Sequence, residues 1–188
     1  MEIGTVFYPR DRSEWREWLS KNHQTSDEVW LRLFSKASGF ECLSYDELVE
    51  EAICFGWIDG LVKKYCPDSR VQRITPRRKK SFLSELNRQR IWKLEEQGKM
   101  TQAGFDAVAG KIGSIHDPFV IPDWVLEQLQ LDPIVWENFQ AFSLYYKRLK
   151  IGWISNLSPK QRDVAQSRLD YLIKMTAQNK QYGSNPFG

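Results

Sequence analysis

Ser44-Tyr45-Asp46-Glu47-Leu48-Val49-Glu50-Glu51-Ala52-Ile53-Cys54-Phe55-Gly56-Trp57-Ile58-Asp59-Gly60 contains a helix start, a helix stop and the opening of a strand. Ser44 followed by Glu47 is a capping box: the hydroxyl accepts from the Glu47 amide, and the carboxylate reaches back to the Ser44 amide. Leu48, Val49, Ala52 and Ile53 then recur at helical spacing, which predicts a helix to about Phe55, and Gly56 suits a left-handed stop. Trp57–Tyr65 and Arg70–Thr75 have strand composition, with Pro67-Asp68-Ser69 as turn chemistry between them, so a β-hairpin follows the helix. Alternation along the first strand sets Trp57 and Asp59 on one face and Ile58 on the other.

Upstream of this stretch, Ser13–Ser20 carries Trp15, Trp18 and Leu19 at helical spacing. Glu28–Ser35 alternates Val29, Leu31 and Leu33 against Trp30, Arg32 and Phe34, the period of a strand. Downstream, Pro76 closes the hairpin, and a helix is predicted over Ser84–Gln97, with Leu83, Leu86, Ile91 and Leu94 roughly on one side and Gly98 as its stop. A short helix over Thr101–Ala109 comes next, then Gly110–Pro122, whose Gly113, Pro118 and Pro122 give it linker composition. The rear half reads as helices near Asp123–Gln130, Pro133–Phe142 and Leu144–Ser155. Ser158-Pro159-Lys160-Gln161 opens a last helix to about Ala177. The tail 183–188 is expected to fray. The fold class is α+β: a small antiparallel sheet packed with helices (residues 1–112), followed by a helical C-terminal region (113–188) packed on it.

A length of 188 residues predicts one compact domain, or one with a helical extension. Hydrophobic residues at 41% and charged residues at 27% argue against wholesale disorder, collagen-like and membrane-spanning classes. Asp11, Arg12 and Glu14 interrupt any signal-peptide core, and the apolar run Ala52–Ile58 is far short of the ~20 residues of a membrane helix. A cytoplasmic protein without a membrane span is expected. Cys42, Cys54 and Cys66 lie twelve residues apart, neither a disulfide framework nor a zinc spacing, and only His23 and His116 could assist, so no metal and no cofactor is expected.

Net charge is only +3, but from Lys63 to Lys93 eleven Lys/Arg face two acids, a local balance of +9, while the other 157 residues sum to −6. Tyr145–Gln181 is a second basic segment, with eight bases and two acids. Exposure of both would give a bipolar surface.

Tyr45–Gly60, then Thr75-Pro76-Arg77-Arg78-Lys79-Lys80-Ser81, then Asn87, Arg90, Leu94, Gly98, Met100, Ala103 and Gly104, together resemble the bacterial YdeI/OmpD-associated family, also called the bacteriocin-protection family. The likeness runs from Trp18-Leu19 to Trp153-Ile154 and departs from the family pattern at Phe82-Leu83 and in the final helix. It implies a role in bacteriocin protection and envelope or peroxide stress resistance, with no assigned chemical reaction.

The constellation that carries chemistry is Trp57, Asp59, Arg73, Arg77, Arg78, Ser81 and Asn87. An acid, several guanidinium forks and an aromatic plate converging on one sheet edge would bind a small anionic ligand or a protein partner. The plainer reading pairs Asp59 with Arg73 or Arg77 and buries Trp57 as core. Arg77, Arg78, Lys79, Lys80, Arg88, Arg90 and Lys93, interleaved with Phe82 and Trp92, form the alternative, a nucleic-acid-binding module; against it, the pI of 8.7 lies below the usual footprint. No residue is assigned as catalytic. Cys54 sits on an apolar helix face, Glu50 and Glu51 diverge, His116 beside Asp117 is no evidence of a pair, and Gly110-Lys111-Ile112-Gly113 lacks phosphate-loop spacing. A non-enzymatic function is expected, with an uncharacterised enzyme as the remaining possibility. In the rear half Trp124, Trp136, Phe139, Phe142, Tyr145, Tyr146 and Trp153 read as bundle core, or in part as a partner surface.

Overall fold

A computed structural model describes residues 2–183 and 186, so most of the tail expected to fray lies outside the described residues. The chain forms two compact units: Met1–Phe82 with Leu94–Ile112, and Leu83–Lys93 with Gly113–Gly188.

In the first unit, β1 (Val6–Phe7), α1 (Arg12–Asn22), β2 (Val29–Phe34), α2 (Tyr45–Cys54), β3 (Trp57–Cys66) and β4 (Ser69–Pro76) follow in order. Helix α3 (Glu85–Glu96) crosses from one unit into the other, and α4 (Gln102–Val108) returns to the first. The strand order is β1-β2-β4-β3. β3 and β4 form the expected hairpin, and β2 pairs antiparallel with β4. The sheet is mixed, however, not purely antiparallel, because β1 runs parallel to β2, Val6 opposite Trp30 and Phe7 opposite Leu31. Two residues are too short to show a strand period, which is why the sequence hides this element.

The capping box of α2 forms as expected, with Ser44 accepting from the Glu47 amide and Glu47 answering the Ser44 amide. Gly56 then turns the chain with φ at +75°. A side chain at Gly56 would come within 2.7 Å of the Ala103 carbonyl oxygen, and one at Gly104 would collide with the carbonyl of Cys54. These two glycines let α4 lie against the end of α2. Thr101 ties the junction: its amide (3.1 Å) and hydroxyl (2.6 Å) both donate to the Cys54 carbonyl, and the hydroxyl accepts from the Gly104 amide as the cap of α4. Trp15, Leu19, Leu31, Leu48, Ile74 and Leu94 are fully buried around this frame.

The second unit packs α5 (Asp123–Gln130), α6 (Pro133–Ala141), α7 (Leu144–Ser155) and α8 (Arg162–Ala177) around Val125, Leu129, Phe139, Tyr146, Ile154 and Leu169. Residues 83–93 join it through polar contacts. Arg148 on α7 donates to Glu85 at 3.4 Å, Gln89 to the Tyr145 carbonyl at 2.8 Å, and Trp92 to the Gly113 carbonyl at 3.3 Å. Trp153 leaves the expected aromatic core: it is 43% exposed and stacks under Arg168, whose Cζ lies 4.2 Å from its ring. The last helix begins with a 3-10 turn at Pro159–Gln161 before α8 proper.

Lys150 is withdrawn from the exposed face that the rear basic segment would need for a bipolar surface. It is only 5% exposed, its Nζ donating to the Tyr182 carbonyl at 2.5 Å and lying 3.7 Å from the Tyr182 ring centroid and 5.1 Å from that of Tyr146. Desolvation lowers its pKa from the ordinary 10.5 to about 8. Between those values the unfolded chain holds a proton that the folded chain lacks, so this group makes stability rise with pH over that window. Burial holds the phenols of Tyr182 and Tyr146 protonated beyond the usual tyrosine range, which reverses the trend at higher pH. Urea titrations are expected to show stability climbing from about pH 8 to a maximum near pH 10, with Lys150→Met flattening the climb; an unchanged climb in that variant would contradict the assignment. Gly104→Ala is expected to cost about 1–3 kcal/mol in the same measurement, because the Cys54 carbonyl cannot retreat without breaking its bonds to Thr101.

Candidate functional site

Register decides which of the expected site residues can meet. Cross-strand partners share a face, so Trp57 opposite Pro76, Asp59 opposite Ile74 and Val29 opposite Ile74 define one face of the sheet. Trp30 opposite Arg73 belongs to the other. Trp57 and Asp59 do emerge on one side, but Arg73 points away from them. It is taken by Glu28, with Nε and Nη2 on Oε2 at 2.6 and 2.5 Å, and Glu28 also accepts from the Trp30 indole at 3.2 Å. The Arg73 guanidinium holds the Glu28 carboxyl below the usual carboxylate range.

Trp57 is core: 1% exposed, edge-on to Trp18 at 5.8 Å, its indole N–H donating to the His23 carbonyl at 3.2 Å. It offers no plate for a ligand. Asp59 accepts from the Tyr45 hydroxyl at 2.7 Å instead of pairing with an arginine. Tyr45 was missed by the sequence reading, although its place as the first residue of α2, beside the strand that follows, is the signal for it.

Arg77 stays near Asp59. Its amide donates to the Gly56 carbonyl at 2.9 Å, which pins the end of β4 to the junction after α2, and its Nη1 donates to the Phe82 carbonyl at 3.1 Å. Nη2 is buried with no hydrogen-bond partner. Burial lowers the guanidinium's pKa, and the Asp59 charge offsets this only in part. Beyond it the chain makes a tight turn, with the Ser81 amide on the Arg78 carbonyl at 2.9 Å and Lys111 Nζ holding the Ser81 carbonyl at 3.0 Å and that of Lys79. Arg78, Lys79 and Lys80 are exposed on this turn. Asn87 belongs to the other unit, where its side chain accepts from Arg90 at 3.0 Å. Of the expected set, Asp59, Arg77, Arg78 and Ser81 remain as one neighbourhood, while Trp57 and Arg73 are committed elsewhere.

The alternative basic set divides the same way. Arg77–Lys80 lie in the first unit and Arg88, Arg90 and Lys93 in the second, where Arg88 pairs with Glu85 at 3.3 Å and Arg90 is 4% exposed. Glu50 and Glu51 share a partner instead of diverging: Arg12 reaches Glu50 at 2.8 Å and Glu51 at 2.5 Å, and Arg16 holds the second oxygen of Glu51 at 2.6 Å. Burial, then the Glu51 charge, raises the neighbouring Cys54 thiol to about 11, so it stays protonated and inert at neutral pH. Asp117 binds the Ser114 amide at 2.7 Å.

Residues 7–107 match the family described as a domain of unknown function, DUF8412. The chain belongs to that family. Residues 118–179 match the family described as Bacteriocin-protection, YdeI or OmpD-Associated. The YdeI/OmpD-associated resemblance therefore holds, and it sits on α5–α8, whereas the segments 45–60, 75–81 and 87–104 that suggested it lie within the DUF8412 span. No curated protein and no solved structure matches the chain. Among the described residues no helix is long and apolar enough to cross a membrane.

The acid and arginine cluster around Glu51 is a fastening between α1 and α2. Glu51→Ala is expected to destabilise by about 1.5–3 kcal/mol, since it removes the carboxylate of Arg16 and one of the two held by Arg12, which keeps Glu50. Chemical denaturation checks this, and a loss under about 1 kcal/mol would argue against a fastening role.

Proposed function

We propose that the protein is a non-enzymatic binding protein of the bacteriocin-protection kind, working in the cytoplasm, that recognises an anionic group at the Arg77–Ser81 turn. The observation that carries this reading is the Arg77 guanidinium, half-buried, with one amino nitrogen shut off from solvent and from every acceptor. A buried guanidinium nitrogen left unsatisfied costs free energy that an incoming oxyanion would recover. Asp59, tied to Tyr45, keeps the site from being overwhelmingly positive, while Arg78, Lys79 and Lys80 supply the field that draws an anion in. Because Nη2 is enclosed, the groups that cover it have to move for the ligand to reach it. The role in bacteriocin or stress tolerance rests on the family resemblance of the rear helices.

A small carboxylate or phosphate and an acidic side chain of a protein partner share this chemistry. Thermal unfolding in inorganic phosphate, compared with chloride at equal ionic strength, is expected to raise Tm in the native chain and to lose that increment in Arg77→Gln. Separately, an acidic peptide that competes with phosphate would point to the protein partner. Equal phosphate stabilisation in both chains would reduce the effect to general salting and overturn the site.

A further inference from the structure

The segment that follows α8 folds back on the second unit and lays Tyr182 against α7 in the manner of a bound ligand. The chain leaves the helix through Asn179, in the left-handed region at φ +52°. The Tyr182 amide donates to the Tyr146 hydroxyl at 3.3 Å, and its carbonyl accepts from Lys150 Nζ at 2.5 Å. Its ring centroid lies 3.7 Å from the Lys150 ammonium, and the ring meets those of Tyr171 at 4.7 Å and Tyr146 at 6.4 Å edge to face. Tyr146 and Lys150 are one turn apart on α7 and Tyr171 is on α8, so the seat itself is part of the bundle.

Tyr182 fills this seat imperfectly. Its hydroxyl is buried with no hydrogen-bond partner, so a phenylalanine would fill the same space without that cost. Lys150, almost wholly buried, donates to a neutral carbonyl and has no carboxylate at ion-pair distance among the described residues. Buried charges are ordinarily paired, and a wall built only to fold would carry an apolar residue at 150. A carboxylate in the place of the Tyr182 carbonyl would supply the missing counter-charge. The next residue is Gly183 at φ +76°, where an added side chain would come within 3.1 Å of Lys150 Nζ. Other residues are strained at that φ, whereas a chain that ends at the aromatic residue meets no such demand.

These contacts specify a better occupant: an aromatic ring, a backbone N–H before it and a carboxylate directly after it. That is the last residue of a polypeptide. A free aromatic amino acid fits less well, since its ammonium would share the seat with the Lys150 ammonium where a peptide has a neutral N–H. A small inorganic anion would answer Lys150 but leave the place of the ring empty. We propose that the seat formed by Tyr146, Lys150 and Tyr171 binds the C-terminal aromatic residue of a partner chain, with Tyr182 closing it in the unbound protein. This site lies within the second unit and does not rest on the Arg77 turn.

The test is fluorescence anisotropy on the full chain with a short labelled peptide ending in phenylalanine with a free carboxylate. Its C-terminal amide and a peptide ending in alanine are the comparison arms. The free acid is expected to bind at least about tenfold more tightly than either. Tyr182→Ala empties the seat and is expected to tighten binding by about tenfold. Lys150→Met in that background should erase the preference for acid over amide. Tyr182→Phe acts in the opposite direction: losing the orphan hydroxyl should raise Tm and weaken peptide binding by about threefold, which mere packing of the segment would not give. Free L-phenylalanine in large excess should not displace the peptide. Absence of binding to folded Tyr182→Ala, equal affinity for acid and amide, or displacement by free phenylalanine would each overturn the proposal. So would a higher Tm in Tyr182→Phe with unchanged peptide affinity, which decides the matter even if Tyr182→Ala does not fold.

Discussion

The carbonyl of Cys54, at the end of α2, takes both the amide and the hydroxyl of Thr101, and the first unit is arranged around that junction. Helix ends leave carbonyls without partners, and a helix followed at once by a strand has no loop in which to hydrate them. The chain meets this demand with a threonine from a later segment, which then caps α4 with the same hydroxyl. The approach is close enough that Gly56 and Gly104 are the residues the space permits. From there β3 starts without slack, which sends Trp57 into the core. The Gly56 carbonyl receives the Arg77 amide, so the place where β4 ends is set by the place where α2 ends.

That geometry separates two kinds of charge in the first unit. Glu51 with Arg12 and Arg16, and Glu28 with Arg73, are ion pairs in which each guanidinium has its carboxylate, although Arg12 Nη2 is left buried without a hydrogen-bond partner. Arg77, by contrast, has a buried amino nitrogen without an acceptor and no carboxylate at ion-pair distance among the described residues, and Lys64 and Arg70 are set against each other. Groups of the first kind are explained by folding. Groups of the second kind cost stability where they stand, and they are the ones for which an external anion gives a reason.

Much of this fold was legible in the sequence because its signals are local. The capping box at Ser44 and Glu47, the left-handed stop at Gly56 and the turn at Pro67-Asp68 need no tertiary context, and all appear in the structure. The two-residue β1 was not legible, since its pairing with β2 is a long-range choice that leaves no period. The site was legible only in part. Alternation correctly put Trp57 and Asp59 on one face, but the face of Arg73 depends on the register between β3 and β4, which includes a shift between Asp59 and Val62 that no strand pattern announces. Gln72 marks that shift, its amide donating to the Gly60 carbonyl at 2.7 Å. Burial of Lys150 and Arg148 was equally hidden, because a basic residue in an amphipathic helix reads as surface until its neighbours are known.

The account turns on Arg77 being held by the α2–β3 junction as an anion-seeking group with one amino nitrogen enclosed. A crystal of the protein soaked in bromide or selenate and read by anomalous scattering reports on that atom directly. The account predicts an anion within hydrogen-bond distance of Arg77 Nη2, accompanied by displacement of the groups that cover it. Nη2 bonded to a protein acceptor, with anions only on the exposed Lys79 and Lys80, would contradict it.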